Sequence, residues 1–326
     1  MNKLSSVGVK ITILVVVALL FGATMVALSL KDRSIDHNET FWHGGNRTIG
    51  GNKTIDKTFS VQADGKLIVD ADEGNITISG TDDSEVSVHI LARGSDERLQ
   101  KFDVQLDQDG DVVRILNRQQ HTHFHFFENN DLNVDFEIKI PRTFNLDLRT
   151  SGGNISIRQV KGKVVGETSG GDIDLSSLEG DLKMNTSGGN VNLQKSSGDF
   201  DLETSGGNMF AESITGSIHM ETSGGNIDIR DSDGKLVAST SGGDIKVSMK
   251  DNKGIDLSTS GGSVTVKLPS TARGDVSAET SGGDVSTNLP FSGKIKDGKM
   301  KGKINGGGEV IKLETSGGDI VINSGE

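Results

Sequence analysis

The tetrapeptide Thr-Ser-Gly-Gly occurs nine times, beginning at Thr150, Thr168, Thr186, Thr204, Thr222, Thr240, Thr259, Thr280 and Thr315. The first five intervals are 18 residues each and the next three are 19, 21 and 35. A period near this length marks a stack of similar coils, each burying its apolar face against its neighbours.

Counting each repeat from its Thr, position 6 is always apolar: Ile155, Ile173, Val191, Met209, Ile227, Ile245, Val264, Val285 and Ile320. Position 8 is nearly so, with Ile157, Leu175, Leu193, Ala211, Ile229, Val247, Val266, Thr287 and Ile322. A second pair at positions 15 and 17 runs Leu182/Met184, Phe200/Leu202, Ile218/Met220, Leu236/Ala238, Ile255/Leu257, Val276/Ala278 and Ile311/Leu313. Alternation within each pair has the period of a strand buried on one face. One coil therefore holds two short strands and two turns. The predicted fold class is all-β: a single-chain β-solenoid (β-helix or β-roll) of about 18-residue coils, preceded by an N-terminal transmembrane helix.

The glycines belong to the corners. Gly-Gly after Thr-Ser reads as a tight reversal that needs positive φ, and Gly162, Gly180, Gly198, Gly216 and Gly234 mark the other corner. Asn or Asp follows Gly-Gly at Asn154, Asp172, Asn190, Asn208, Asn226 and Asp244. Stacked at a strand spacing of about 4.8 Å, these side chains form a column able to hydrogen-bond along the stack. The repeated Thr shares the parity of positions 15 and 17, which predicts a second, inward column bonded between coils.

Ile11 to Leu30 is an apolar run of 20 residues after Lys3 and Lys10, long enough to span a bilayer. Ala27-Leu28-Ser29 offers a competing signal-peptide cleavage site. Residues 1–31 are read as a membrane anchor or signal peptide, and either places the body outside the cytoplasm. Residues 32–57 are polar and read as a flexible linker. Residues 58–148 are β-rich but irregular, with candidate strands at Leu67–Ala71, Asn75–Ser79, Glu85–Ala92, Phe102–Asp107, Val112–Asn117 and Val134–Ile140. They are expected to cap the stack formed by residues 149–326. The chain has no Cys, which removes disulfides and thiolate metal sites, and its net charge of −12 makes it a poor nucleic-acid ligand.

Several segments bear a resemblance. Lys57-Thr58-Phe59-Ser60-Val61, Leu67–Ile78 with Gly-Asn-Ile-Thr-Ile, and Phe136-Glu137-Ile138-Lys139-Ile140-Pro141 stand ahead of the repeats. Ile304-Asn305-Gly306-Gly307-Gly308 stands before the last one. Together with the Thr-Ser-Gly-Gly repeats, this pattern resembles the bacterial putative-adhesin family of β-strand-repeat domains of unknown function, over about residues 57–326. The resemblance implies an envelope-exposed β-solenoid, often membrane-anchored, with adhesion or envelope-stress roles. It supplies no catalytic residues.

His121, His123 and His125 alternate along His-Thr-His-Phe-His. On a strand they would share one face at about 7 Å spacing, an arrangement that suits a metal such as zinc or copper; the alternative is a solvated polar face. Glu167, Glu203, Glu221, Glu279 and Glu314 precede the repeated Thr and should face outward, with Glu203 and Glu221 side by side. Lys294, Lys296, Lys299, Lys301 and Lys303 crowd the longest interval and read either as a soluble hairpin, the stronger reading, or as a protruding basic loop facing anionic envelope polymer or lipid headgroups. No Gly-x-Ser-x-Gly, phosphate loop or His-Glu-x-x-His is present, and a Ser that recurs in every coil is structural. The sequence thus predicts a non-enzymatic extracytoplasmic binding or structural module without a cofactor. Its expected partner is a cell-envelope component, either a glycan or a protein. A carbohydrate-active β-helix, either a lyase or a hydrolase, is the alternative.

Overall fold

The computed structural model describes residues 51–118 and 132–325. Two long sheets, of 13 and 14 strands, enclose one continuous apolar core. In the regular run the first sheet is built from position 6–8 segments such as Ile155–Arg158, Ile173–Ser176, Val191–Gln194 and Met209–Glu212. The second is built from position 15–17 segments such as Val164–Thr168, Leu182–Thr186, Phe200–Thr204 and Ile218–Thr222. All pair in parallel with their counterparts one repeat away, Ile173 opposite Ile155 and Val191, and Met184 opposite Gly166 and Leu202.

A further inward row, not anticipated from the alternation, lies in the turn after the first strand: Val160, Leu178, Ser196, Ile214 and Ser232, all buried. The Ser196 hydroxyl replaces apolar contact with hydrogen bonds, donating to Gln194 O (2.8 Å) and accepting from Leu178 N–H (3.0 Å). One-residue parallel bridges, such as Lys161 to Glu179 to Ser197, continue the ladder through this corner.

Both polar columns form. Each repeated Thr is buried and donates to a carbonyl of the neighbouring coil: Thr186 to Gly171 O, Thr204 to Gly189 O and Thr240 to Gly225 O, all at 2.8 Å. The same hydroxyl accepts the N–H of the second Gly in its own motif, as Gly207 N–H to Thr204 at 3.3 Å. The Asn/Asp column passes side-chain oxygens to the backbone N–H of the next coil: Asn154 to Asp172 (2.8 Å), Asp172 to Asn190 (2.7 Å) and Asn190 to Asn208 (2.9 Å).

The Gly-Gly pairs have a different cause from the one expected. None of the Thr-Ser-Gly-Gly glycines has positive φ; the left-handed glycines are at the opposite corner, Gly180 and Gly198 among them. At the second Gly of each motif the constraint is proximity. A Cβ on Gly189 would lie 1.9 Å from Gly171 O, whereas one on Gly188 would meet nothing nearer than 3.8 Å. Backbone therefore stacks directly on backbone through this corner.

The ends depart from sequence order. At the N-terminal end the coil of Lys66–Ala71 and Asn75–Thr81 stacks on the first repeat. Val112–Asn117 and Asn133–Pro141 lie outside it, so the chain passes outward before returning to Asn145–Thr150. Antiparallel strands then close both edges: Gln105–Asp109 on the second sheet, Glu85–Gly94 and Gly51–Ser60 on the first. Residues 51–57, expected in the linker, thus belong to the folded body. Phe59 is buried and anchors this strand, while most of its other side chains are exposed as befits an edge. The strand predicted at Phe102–Asp107 begins later and runs Gln105–Asp109, and a short helix the sequence did not announce, Asp96–Lys101, precedes it.

At the C-terminal end, Ile255–Thr259 pairs with Val310–Thr315, which pairs with Gly274–Thr280. In the other sheet Val264–Pro269 pairs with Ile320–Gly325, which pairs with Val285–Thr287. The last repeat in sequence is therefore inserted between the two that precede it. Buried Asn252 ties this region together, its Nδ2 donating to Arg273 O (2.8 Å) and Glu309 O (2.7 Å). Of the two readings of the lysine-rich stretch, the structure shows the hairpin and not the protruding loop. The hairpin, Phe291–Lys296 and Lys299–Ile304, pairs antiparallel with Gly274–Thr280 and closes the second sheet.

Candidate ligand-binding groove

The outer face of the first sheet carries a groove of about 370 Å³ lined by Asp172, Asp174, Asn190, Asn192, Asn208 and Phe210, with Val191 beneath. Its two rows follow from the repeat. Asp172, Asn190 and Asn208 come from the column after Gly-Gly, and Asp174, Asn192 and Phe210 from the outward position of the first strand. The register sets Asn192 between Asp174 and Phe210. Asn192 Nδ2 donates to Asp174 Oδ1 (3.3 Å) and Asn190 Nδ2 to Asp172 Oδ1 (3.2 Å). These bonds hold the amides and carboxylates in a fixed array. Arg230 sits over the Phe210 ring at 5.2 Å and is ion-paired with Asp228 at 2.5 Å, which raises its pKa through the Asp228 hydrogen bond and charge. The guanidinium supports one face of the ring and leaves the ring beside the groove.

A second concavity, of about 260 Å³, follows the Thr corner and is lined by Glu167, Asn185, Glu203, Glu221 and the repeated Thr and Ser residues. Glu203 and Glu221 are in direct register, as the repeat predicts. Nearby charges compensate them in part: Lys183 lies 2.5 Å from Asp201 and 3.7 Å from Glu203, and His219 Nδ1 lies 3.0 Å from Asp201. Burial raises the Asp201 pKa, but the Lys183 hydrogen bond and charge, joined by His219, outweigh it and hold the carboxyl below its usual range. Glu279 is bound to Lys299 at 2.5 Å, and Glu314 to Lys312 at 3.3 Å.

His121, His123 and His125 lie outside the described residues, as does the apolar run Ile11–Leu30. Among the described residues no three His, Asp or Glu side chains are placed to hold a metal ion, and no helix is long and apolar enough to cross a membrane. The sequence reading missed the groove. Its one available signal was Phe210, the sole aromatic among polar outward residues such as Asp174, Asn192 and Asp228.

The family model of the Toastrack DUF4097 domain matches residues 65–323. The chain belongs to the Toastrack DUF4097 family. This membership agrees with the resemblance carried by the repeats. The Toastrack chain is also similar to three solved structures. Against a putative cell adhesion protein from Clostridium sporogenes the identity is 15%, with 84% of this chain and 100% of that chain covered and a TM-score of 0.28. Against a putative adhesin from Bacteroides fragilis it is 17%, with 83% and 97% covered and a TM-score of 0.43. Against a putative lipid binding protein from Parabacteroides distasonis it is 13%, with 84% and 97% covered and a TM-score of 0.34. No curated protein matches the Toastrack chain.

Proposed function

We propose that this chain is a non-enzymatic binding and structural module of the cell envelope, held outside the cytoplasm by the apolar segment Ile11–Leu30, and that its groove takes a glycan. The observation that carries the reading is the groove itself: one aromatic ring beside two rows of amides and carboxylates, preordered by bonds along the stack. Sugars present apolar C–H faces and dense hydroxyls, and a concave site with one ring and convergent polar groups matches both. The open groove and the repeating coil suit a polymer better than a compact small molecule. The displaced pKa values among the described residues all belong to members of surface ion pairs, such as Arg142 with Asp82 and Lys253 with Asp233.

A glycan array probed with the parent and with Phe210→Ala, combined with a reducing-sugar assay, tests the reading. Oligosaccharide binding by the parent alone, without new reducing ends, is the expected result. New reducing ends would favour a lyase or hydrolase, and a parent that binds no glycan would remove the groove from consideration.

A further inference from the structure

The terminal hairpin concentrates positive charge in a way the rest of the stack avoids. Elsewhere on the second sheet one outward row sets opposite charges together, as in Lys183–Asp201 and Asp256–Lys312, while the next row sets acids in register at Glu203/Glu221 and Glu314/Glu279. In the hairpin Lys294 stands directly opposite Lys301, and Lys296 opposite Lys299. Like charges directly opposite on neighbouring strands are destabilising. Lys303, opposite Ser292, completes the array. All five lysines have the same parity, on the face shared with outward Asp275, Ser277 and Glu279 of the adjoining strand. Lys299 is bound to Glu279 and Lys296 to its neighbour Asp297, whereas Lys294, Lys301 and Lys303 have no ion-pair partner among the described residues.

Protection of an open sheet edge explains only part of this. Lysines on an edge strand discourage pairing with another chain, and Lys294 and Lys296 lie on that strand. Lys301 and Lys303 lie on the inner strand, already paired on both sides, and guard nothing. Their cost calls for another reason. We infer that this face is a binding surface for a linear polyanion, specifically a polyol-phosphate polymer lying across the hairpin.

The spacing fits such a ligand. Lysine positions recur at about 7 Å along each strand and about 5 Å across the pair, and from that grid their flexible ammonium groups reach successive phosphodiesters of an extended polymer. The same face lacks what a bilayer would require. The hairpin contributes lysines and Ser292 to it, beside Asp275, Ser277 and Glu279 of the adjoining strand, while Phe291, Ile295, Met300 and Ile304 lie on the opposite face. Phe291 packs on the core, and Met300 and Ile304 are buried in it. Ile295 is 48% exposed but lies on the other side of the hairpin. With no apolar group to insert, the face has only electrostatic attraction to offer a membrane. The hairpin also lies at the opposite end of the stack from Gly51–Ser60.

The test uses the full chain with poly(glycerol phosphate) as probe, measured by calorimetry at low and high salt. Phosphatidylglycerol vesicles form a second arm. The parent is expected to bind the polymer with an affinity that falls steeply with salt. At about fivefold per lysine, the triple variant Lys294→Gln/Lys301→Gln/Lys303→Gln should bind roughly a hundredfold more weakly. Lys183→Gln, in the charge-alternating row, should bind like the parent. The triple variant relieves repulsion, so its thermal midpoint should equal or exceed that of the parent, which separates lost binding from lost folding. Absence of polymer binding at low salt, equal binding by the triple variant, or binding to vesicles but not to polymer would each overturn the proposal. None of these outcomes bears on the Phe210 groove, which is read separately with neutral glycans.

Discussion

The regular run from Asn145 to Pro269 and the C-terminal end beyond it use the same parts in different order. In the run each coil stacks on the coil before it in sequence. At the end, Thr315 bonds to Gly262 O at 2.7 Å and Thr280 bonds to Gly318 O at 2.7 Å, so both Thr bonds survive although the chain order has been exchanged. The Asn/Asp column also continues: Asp244 accepts from Ser263 N–H, Ser263 from Asp319 N–H, and Asp319 from Asp284 N–H. The ladders are therefore satisfied by spatial neighbours and do not depend on the connection between coils. In the run every Asp is flanked by Asn or Ser, whereas at the end Asp319 and Asp284 are adjacent.

Deletions should separate the two regions most strongly. Removing Thr186–Glu203 rejoins equivalent environments and should leave a cooperative protein of slightly lower stability. Removing Thr186–Gln194 sets first strands against second strands and should abolish the native fold, since each large core loss costs roughly 2–5 kcal/mol. Removing residues 306–326 takes away Ile311, Leu313, Ile320 and Ile322, all buried, from between two other coils. Amide exchange should then show lost protection from Gly274 onward and retained protection in the run. Retained protection throughout would mean that Gly274–Thr287 can dock without the inserted coil.

Single glycines give a smaller contrast. Gly189→Ala forces a Cβ to 1.9 Å from a backbone oxygen inside the run and should cost about 3 kcal/mol or more in urea melts. Gly283→Ala meets Gly318 O at 2.4 Å, but beside a three-residue edge strand with room to shift, and should cost about 1–2 kcal/mol. Gly188→Ala should be close to neutral. Equal costs at positions 188 and 189 would refute backbone stacking as the reason for the motif.

Charge changes come next. Asp319→Asn removes the carboxylate pair at the end and should stabilise by a few tenths of a kcal/mol, about the scale of one exposed charge contact. Asp172→Asn, already flanked by Asn154 and Asn190, should gain less.

The smallest effect is in the pH dependence. Because the Asp201 pKa is lowered in the folded state, its contribution is present above the ordinary carboxylate range near about 4. It is lost as pH falls through the folded value, with lower stability in acid. Asp201→Asn should flatten that part of the profile by well under about 1 kcal/mol, given the screening at this partly exposed site. A steeper acid loss in the variant would reverse the assignment.

Much of the run was legible in the sequence. Ile173, Leu175, Leu182 and Met184 announce two inward strand pairs, and Thr186 and Asn190 announce their columns, because one side-chain chemistry recurs in every coil. The turn row was harder to read because apolar Leu178 and Ile214 alternate with Ser196 and Ser232. The Gly-Gly motif was assigned to positive φ because local sequence does not show how closely another coil approaches. The exchange at the end was hidden for a related reason: Thr280 and Thr315 carry the same motif, so composition does not distinguish which stacks on Thr259. The groove depends on Phe210, and one outward aromatic among polar neighbours leaves no periodic trace.

The inserted last coil also sets a timetable. A chain made from its N-terminus can lay down the run coil by coil as it emerges, the usual direction of folding during synthesis. The strands Ile255–Thr259 and Val264–Pro269 join the coil before them in the same way, but on their other side their native partners are Val310–Thr315 and Ile320–Gly325. Until those residues arrive, this edge stays open while Gly274–Thr287 waits for the same partners on their other side. Completion of this end of the stack is therefore deferred until Val310–Thr315 and Ile320–Gly325 have been made.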